Sequence, residues 1–192
     1  MYTLFISTYD KLINISLLKD GKLKSTIEEI SKQNHSILVM PMIDNILKSN
    51  KITTSDLNEI IVVNGPGSFT GVRIGVVIAK TLAYTLNIPI KTITSLECIL
   101  VSTKGNNNKL ATISDTKGRY VGYFNKDNEL LEEFKYLKSS EFEEYIKDKE
   151  EYLITDNLFD IESIYNYLKD KDSINPHLVN PIYIKGIDAL NG

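Results

Sequence analysis

One short stretch holds most of the residue types that could grip an anion: Asn64-Gly65-Pro66-Gly67-Ser68, then Gly71 and Arg73. Glycines at this density let a backbone turn bring several amides to one point, and a helix starting behind them adds its own free N–H groups and positive end. The spacing limits that chemistry. A dinucleotide fingerprint requires G-x-G-x-x-G and a P-loop ends in Gly-Lys-Ser/Thr. Here Gly65, Gly67 and Gly71 read G-x-G-x-x-x-G and run into Val72-Arg73. What remains is the expectation of a weaker anion or nucleotide contact at Ser68, Arg73 and Asp115, the last sitting with Thr116 and Gly118 in a second turn-like segment.

Other chemistries find less. The two histidines, His35 and His177, lie too far apart in sequence to present paired imidazoles from one helix, so no metal site is expected. The single cysteine, Cys98, has no histidine beside it and there is no G-x-S-x-G elbow, which leaves covalent hydrolysis without a nucleophile and base. A buried structural thiol is the expectation for Cys98. Glu132, Glu133, Glu141, Glu143, Glu144, Asp148, Glu150 and Glu151 are interspersed with lysines, the pattern of a solvated face.

The elements that must position these groups follow from periodicity. The β-branched run 60–63 stops at the Gly/Pro turn, and helical spacing begins over 69–86 with Ser68 as N-cap. Along that helix Gly71, Gly75, Ala79 and Ala83 recur every fourth residue, while Val72, Val76, Ile78 and Leu82 cover most other directions. Such a helix is expected to be buried on more than one face, with a second backbone lying close to the small-residue stripe. Upstream, Asn34 caps a second helix whose face is Val39, Met42, Ile43, Ile46 and Leu47, widened by Ile37, Leu38 and Met40 and bent or loosened by Pro41.

The chain opens with three antiparallel strands at 2–8, 12–18 and about 23–30; a strand ending at Thr94 and a short helix capped by Ser95 follow the long helix. The polar run 104–109 (KGNNNK) is the expected boundary, giving units 1–104 and 105–192. Strands at 110–115, 120–125 and 129–136, then helix, strand and helix, repeat the order of the first half. Two βββαβα units are the plan of the actin, sugar kinase and Hsp70 ATPase (ASKHA) superfamily, so an α/β fold with a reduced second unit is expected. There the turn after the first strand of each half carries a carboxylate for Mg²⁺ near the phosphates. Ser7 stands at that point in the first half and Asp115 in the second, which argues against independent ATP turnover.

At 192 residues, 42% hydrophobic and net charge −3, the chain has room for a proper core and no concentrated basic face for strong direct nucleic-acid binding. Its first residues lack the basic start and cleavage site of a signal peptide, and no uninterrupted apolar run reaches membrane length. A cytoplasmic protein with no membrane contact is expected.

The string NGPGSFTGVRIGVVIAKTLA, followed by a strand and TSLECI, resembles the signature of the TsaB (YeaZ) family. The NHS…MPMIDNIL helix, Asp115 in the second-half turn and the late NPIYIK extend the likeness. Departures are Ser7, Arg119 and Lys185, where the family commonly has aspartate, an acidic residue and arginine. The resemblance implies a non-catalytic scaffold and dimerisation subunit that pairs with a TsaD-like transferase, which places threonylcarbamoyl on N6 of tRNA adenosine 37. It implies a TsaE-like ATPase joining the complex, a homodimer when alone, tRNA met only through the complex, no cofactor held by this chain alone, and ATP or ADP with Mg²⁺ entering in the complex. The alternative is an enzyme in its own right, an ASKHA ATPase or a peptidase of the older glycoprotease label.

The resemblance also places the two long helices in the partner interface. Expected contacts are His35, Val39, Met42, Ile43, Ile46, Phe69, Gly71, Val72, Gly75, Val76, Ala79 and Ala83. On this expectation Gly75→Leu or Ala79→Glu abolishes the complex and leaves a folded monomer.

Overall fold

The computed structural model describes residues 1–32, 34–147, 149, 152–155 (backbone) and 159–184. Asp148, Glu150, Glu151 and Lys185, singled out above, lie outside the described residues.

The first unit runs β1 (Tyr2–Ser7), β2 (Leu12–Lys19), β3 (Lys22–Ile30), α1 (His35–Ser49), β4 (Leu57–Val63), α2 (Phe69–Leu86), β5 (Ile90–Ile93) and α3 (Ser95–Ser102). Its sheet has the order β3-β2-β1-β4-β5. Asp20 and Gly21 both take positive φ, 52° and 76°, the two-residue turn that matches strand twist and so closes β2 onto β3. The pairing of β1 with β4 is parallel, Phe5 opposite Ile61 and Ile6 opposite Val62. Parallel strands need cover on both faces, and β1 and β4 are correspondingly apolar and buried almost throughout. α1 and α2 touch each other and lie side by side on one face. α3 packs on the helix Ile161–Leu168 and closes the other side, where Phe159 meets the Phe5 ring edge-on at 6.1 Å.

The second sheet uses β6 (Asn108–Ser114), β7 (Gly118–Phe124), β8 (Lys135–Lys138) and β9 (Tyr152–Thr155), with α4 (Ser139–Lys147) before β9 and α5 (Ile161–Leu168) after it. Its order, β8-β7-β6-β9, repeats β3-β2-β1-β4, and the senses of pairing are the same. The duplicated α/β plan of the ASKHA type is thus present in strand order, with β5 and α3 enlarging the first unit.

Local differences have local causes. The third strand of the second unit is not 129–136 but 135–138; before it Leu130 makes only an isolated bridge to Phe124, and Glu132 is drawn into an ion-pair cluster. Lys135 reaches Glu132 at 2.6 Å, Lys149 pairs with its other oxygen, and the Tyr145 hydroxyl donates at 3.2 Å. The two lysines, Lys135 first, pull the Glu132 carboxyl from 4.5 down to about 2. A carboxylate whose folded value lies below its unfolded one stabilises fully above the unfolded value and loses that contribution as pH falls toward the folded one. Glu132→Gln is therefore expected to cost about 1 kcal/mol at neutral pH, after discounting for solvent screening. The difference from wild type should vanish on acidification to about pH 2, as read by chemical denaturation across pH.

Asn34 does not cap α1; its side-chain oxygen accepts from Ser31 and Lys32 instead. The cap of α3 is Thr94 rather than Ser95, with Glu97 answering as a capping box. Helix α1 continues through an exposed Pro41.

The expected division at 104 and 105 separates the sheets but not the rest of the chain. α5 returns to the first unit, where Glu162 bonds Lys22 and the Leu23 amide at 2.9 and 3.0 Å and the Asp160 amide bonds Ser102. The segment 173–184 then straps across α2: Ile174 bridges Ile90, the Ile182 amide donates to the Asn64 carbonyl at 2.7 Å, and Lys80 Nζ donates to the Val179 carbonyl at 3.0 Å. By length and composition α2 could cross a bilayer, although Arg73 and Lys80 interrupt it; its apolar face here lies on the sheet.

Candidate partner-docking face

The small-residue stripe of α2 points inward. A Cβ on Gly71 would strike the Thr8 carbonyl oxygen, and one on Gly75 the Thr8 hydroxyl. That hydroxyl donates to the Gly71 carbonyl at 2.7 Å, so the end of β1 is the second backbone lying close against the helix. Val72, Val76, Ala79 and Ala83 are buried as well. On α1, Val39, Met42, Ile43 and Ile46 are core. His35 is buried too: its Nε2 donates to the Asp10 carbonyl at 2.9 Å, and its Nδ1 faces the Ser31 hydroxyl at 3.0 Å. Eleven of the twelve expected interface residues are therefore occupied by the chain's own core, and Phe69 alone is exposed. The sheet claims the small stripe because only glycine and alanine let a helix backbone come this near a strand end.

The opposite face of the same helices is open. Phe69, Arg73, Val77, Thr81 and Tyr84, at i, i+4 spacing with one step of three, form the outer stripe of α2. Val77 is 57% exposed and Tyr84 63%. On α1 the outward residues include Ile37, 69% exposed, and Met40. The strap borders the patch with Leu178 and Tyr183, and the Tyr84 ring meets His177 edge-on at 4.8 Å. Among the described residues, seven of the thirteen exposed large apolar side chains thus gather on α1, α2 and the strap. Scattered apolar residues are ordinary on a surface, but a grouped set rimmed by polar ones marks a docking face.

At one end of this face Arg73 is held rigidly. Its guanidinium lies 3.6 Å from the Phe69 ring centre and 5.4 Å from that of Tyr183, and its Nε donates to the Tyr183 hydroxyl at 2.6 Å. The other expected anion contacts lie differently. Ser68 uses its hydroxyl to cap the Gly71 amide at 3.2 Å. Asp115 follows β6, its carboxylate accepting from Thr116 and, at 3.2 Å, from Tyr136. Cys98 is fully buried, and burial pushes its thiol well above the ordinary value, so it offers no thiolate at neutral pH. Among the described residues no three of His, Cys, Asp and Glu converge on a metal position.

The family profile described as "TsaD: tRNA N6-adenosine threonylcarbamoyltransferase" matches residues 26–155. The chain is 37% identical over 135 residues to the tRNA threonylcarbamoyladenosine biosynthesis protein TsaB of Bacillus subtilis, covering 69% of this chain and 59% of that protein. The chain belongs to the TsaB/YeaZ family. Escherichia coli TsaB is 33% identical over 96 residues, 50% of this chain and 41% of its own length. The matched stretch thus spans about half the length of these curated relatives. YeaZ from Pseudomonas aeruginosa shares the fold, with a TM-score of 0.76 over 95% of this chain and all of that one, at 19% identity.

What the sequence reading missed in this TsaB-family chain is the strap and the outer stripe. The stripe was visible as Phe69, Arg73 and Val77 four residues apart; nothing local marked 173–184 as returning to α2.

Proposed function

We propose that this chain is the non-catalytic TsaB-type subunit of a threonylcarbamoyladenosine machinery, and that it docks a TsaD-like transferase through the outer face of α1 and α2. The exposed apolar group of Ile37, Met40, Phe69, Val77 and Tyr84 carries the reading, since the inner faces of both helices are filled. In the absence of the transferase the same face joins two copies of the chain. tRNA, ATP or ADP with Mg²⁺, and a TsaE-like ATPase belong to the assembled complex in the cytoplasm. This chain's part is to present a rigid face.

The test is co-purification with the TsaD-like protein, followed by a threonylcarbamoyl-transfer assay with each subunit omitted in turn. Val77→Glu, alone and with Met40→Asp, should keep the wild-type melting temperature and weaken binding by about 30-fold or more, the scale of a central hot spot. Transfer should fall with binding. Unchanged affinity in the double variant would refute the assignment.

A further inference from the structure

We infer that Arg73 is the electrostatic anchor of the docking face, that it takes a carboxylate of the protein partner, and that Tyr183 on the strap is the residue that positions it. The inference rests on the docking reading above and names the chemistry at one end of that face.

The geometry is of a cation prepared for one acceptor. An arginine on an exposed helix ordinarily samples many rotamers, and ordering it on binding has an entropic cost. Here the face of the Phe69 ring, the Tyr183 ring packed beside Phe69 at 5.2 Å and the Nε–hydroxyl bond fix it beforehand. Nε is used, and among the described residues the N–H groups on Nη1 and Nη2 have no acceptor. They form the parallel pair that a carboxylate meets with two bonds. The Phe69 ring face covers one side of the guanidinium, and the pairing strengthens once a partner covers the other.

The strap makes this possible. Tyr183 reaches Arg73 because the Ile182 amide is bonded to the Asn64 carbonyl and the Asn64 side chain to the Asn180 carbonyl, at 2.7 and 3.3 Å. Both bonds tie the strap to the end of β4, just before the turn that starts α2.

A protein carboxylate fits better than a phosphate strand. A polyphosphate binder spreads several cations along a track, whereas Arg73 is the only charged residue on the outer stripe of α2, Lys80 is held on the carbonyls of His177 and Val179, and the chain as a whole carries −3. A single fixed guanidinium against a pair of packed aromatic rings, beside apolar residues, has instead the composition of a protein–protein hot spot.

The experiment is calorimetric titration of the TsaD-like subunit from the same organism into wild type, Arg73→Gln, Arg73→Lys, Tyr183→Phe and Val77→Glu, repeated over a range of NaCl concentrations. All five proteins should melt alike, since each altered side chain is exposed or half-exposed. Arg73→Gln should bind ~10–100-fold more weakly and lose part of the salt dependence. Arg73→Lys should recover only a fraction, lacking the fork. Tyr183→Phe, which keeps the ring and removes the acceptor, should weaken binding ~3–10-fold. If Arg73→Gln binds as wild type with an unchanged salt slope while Val77→Glu does not bind, the anchor is refuted and the docking face stands. If Val77→Glu also binds as wild type, the docking face itself falls and the anchor with it. If Arg73→Gln leaves partner affinity intact but weakens tRNA binding by the assembled complex, Arg73 serves a phosphate and the inference is overturned.

Discussion

Gly75→Leu should lose the folded first unit rather than its partner. The Cβ it adds is aimed at the Thr8 hydroxyl, and the neighbouring Gly71 is already in hydrogen-bond contact with that same residue. Neither side can retreat. Thr8 follows the central strand β1, which is held between β2 and β4, and the first turn of α2 is fixed by the Ser68 cap and by the Ser68 amide donating to the Tyr9 carbonyl at 2.7 Å. Overpacking a site of this kind costs about 3 kcal/mol or more, a large share of the stability of an ordinary domain. Thermal unfolding should show a melting temperature lower by about 10 °C. Gly75→Ala should show a smaller loss of the same sign, and Thr8→Ala should recover part of it, because it removes the atom the new methyl meets; a double-mutant cycle reads that coupling. A Gly75→Leu protein that melted as wild type yet failed to bind the transferase would return the small stripe to the partner.

The contrast between Gly75 and Val77 shows what periodicity can and cannot convey. Spacing established that Gly71, Gly75, Ala79 and Ala83 share one face of a helix over 69–86, and the helix lies at those bounds. What that face meets is a tertiary fact. A small-residue stripe serves a strand end of the same chain as well as a partner's helix, and Thr8 is 63 residues before Gly71. The duplicated order of elements was legible because each half carries its own turns and periods. The strand expected at 129–136 was not, since Glu132 finds Lys135 and Lys149 and leaves the ladder. Thr94 and Ser95 are both competent caps; the backbone decides between them, because Thr94 is extended and accepts from the Glu97 amide at 3.0 Å. The strap has neither helical nor strand period, and its bonds to Asn64 and Lys80 cross about 100 residues, a range no local pattern encodes.

Lys91→Ala should destabilise the protein by about 3–5 kcal/mol, the loss that follows when one member of a buried ion pair is removed and the other is left without compensation. Lys91 Nζ lies 3.2 Å from Glu59, with side chains only 10% and 8% exposed, and it donates to the carbonyls of Leu168 and Lys169 at 2.9 and 3.0 Å. Those carbonyls end α5, where the negative pole of the helix favours a cation. Without the ammonium, Glu59 keeps, among the described residues, only the Thr3 hydroxyl at 3.3 Å. Urea denaturation should show the full loss in Lys91→Ala and recover most of it in Lys91→Met/Glu59→Met, where packed apolar chains replace the pair. A double variant as unstable as Lys91→Ala would show that packing, not charge, governs the site. The same two proteins separate stability from docking. Lys91 fastens the end of α5 from which the strap departs toward Tyr183, and the double variant restores the core without restoring that fastening. Its affinity for the transferase should therefore stay well below wild type although most of its stability returns.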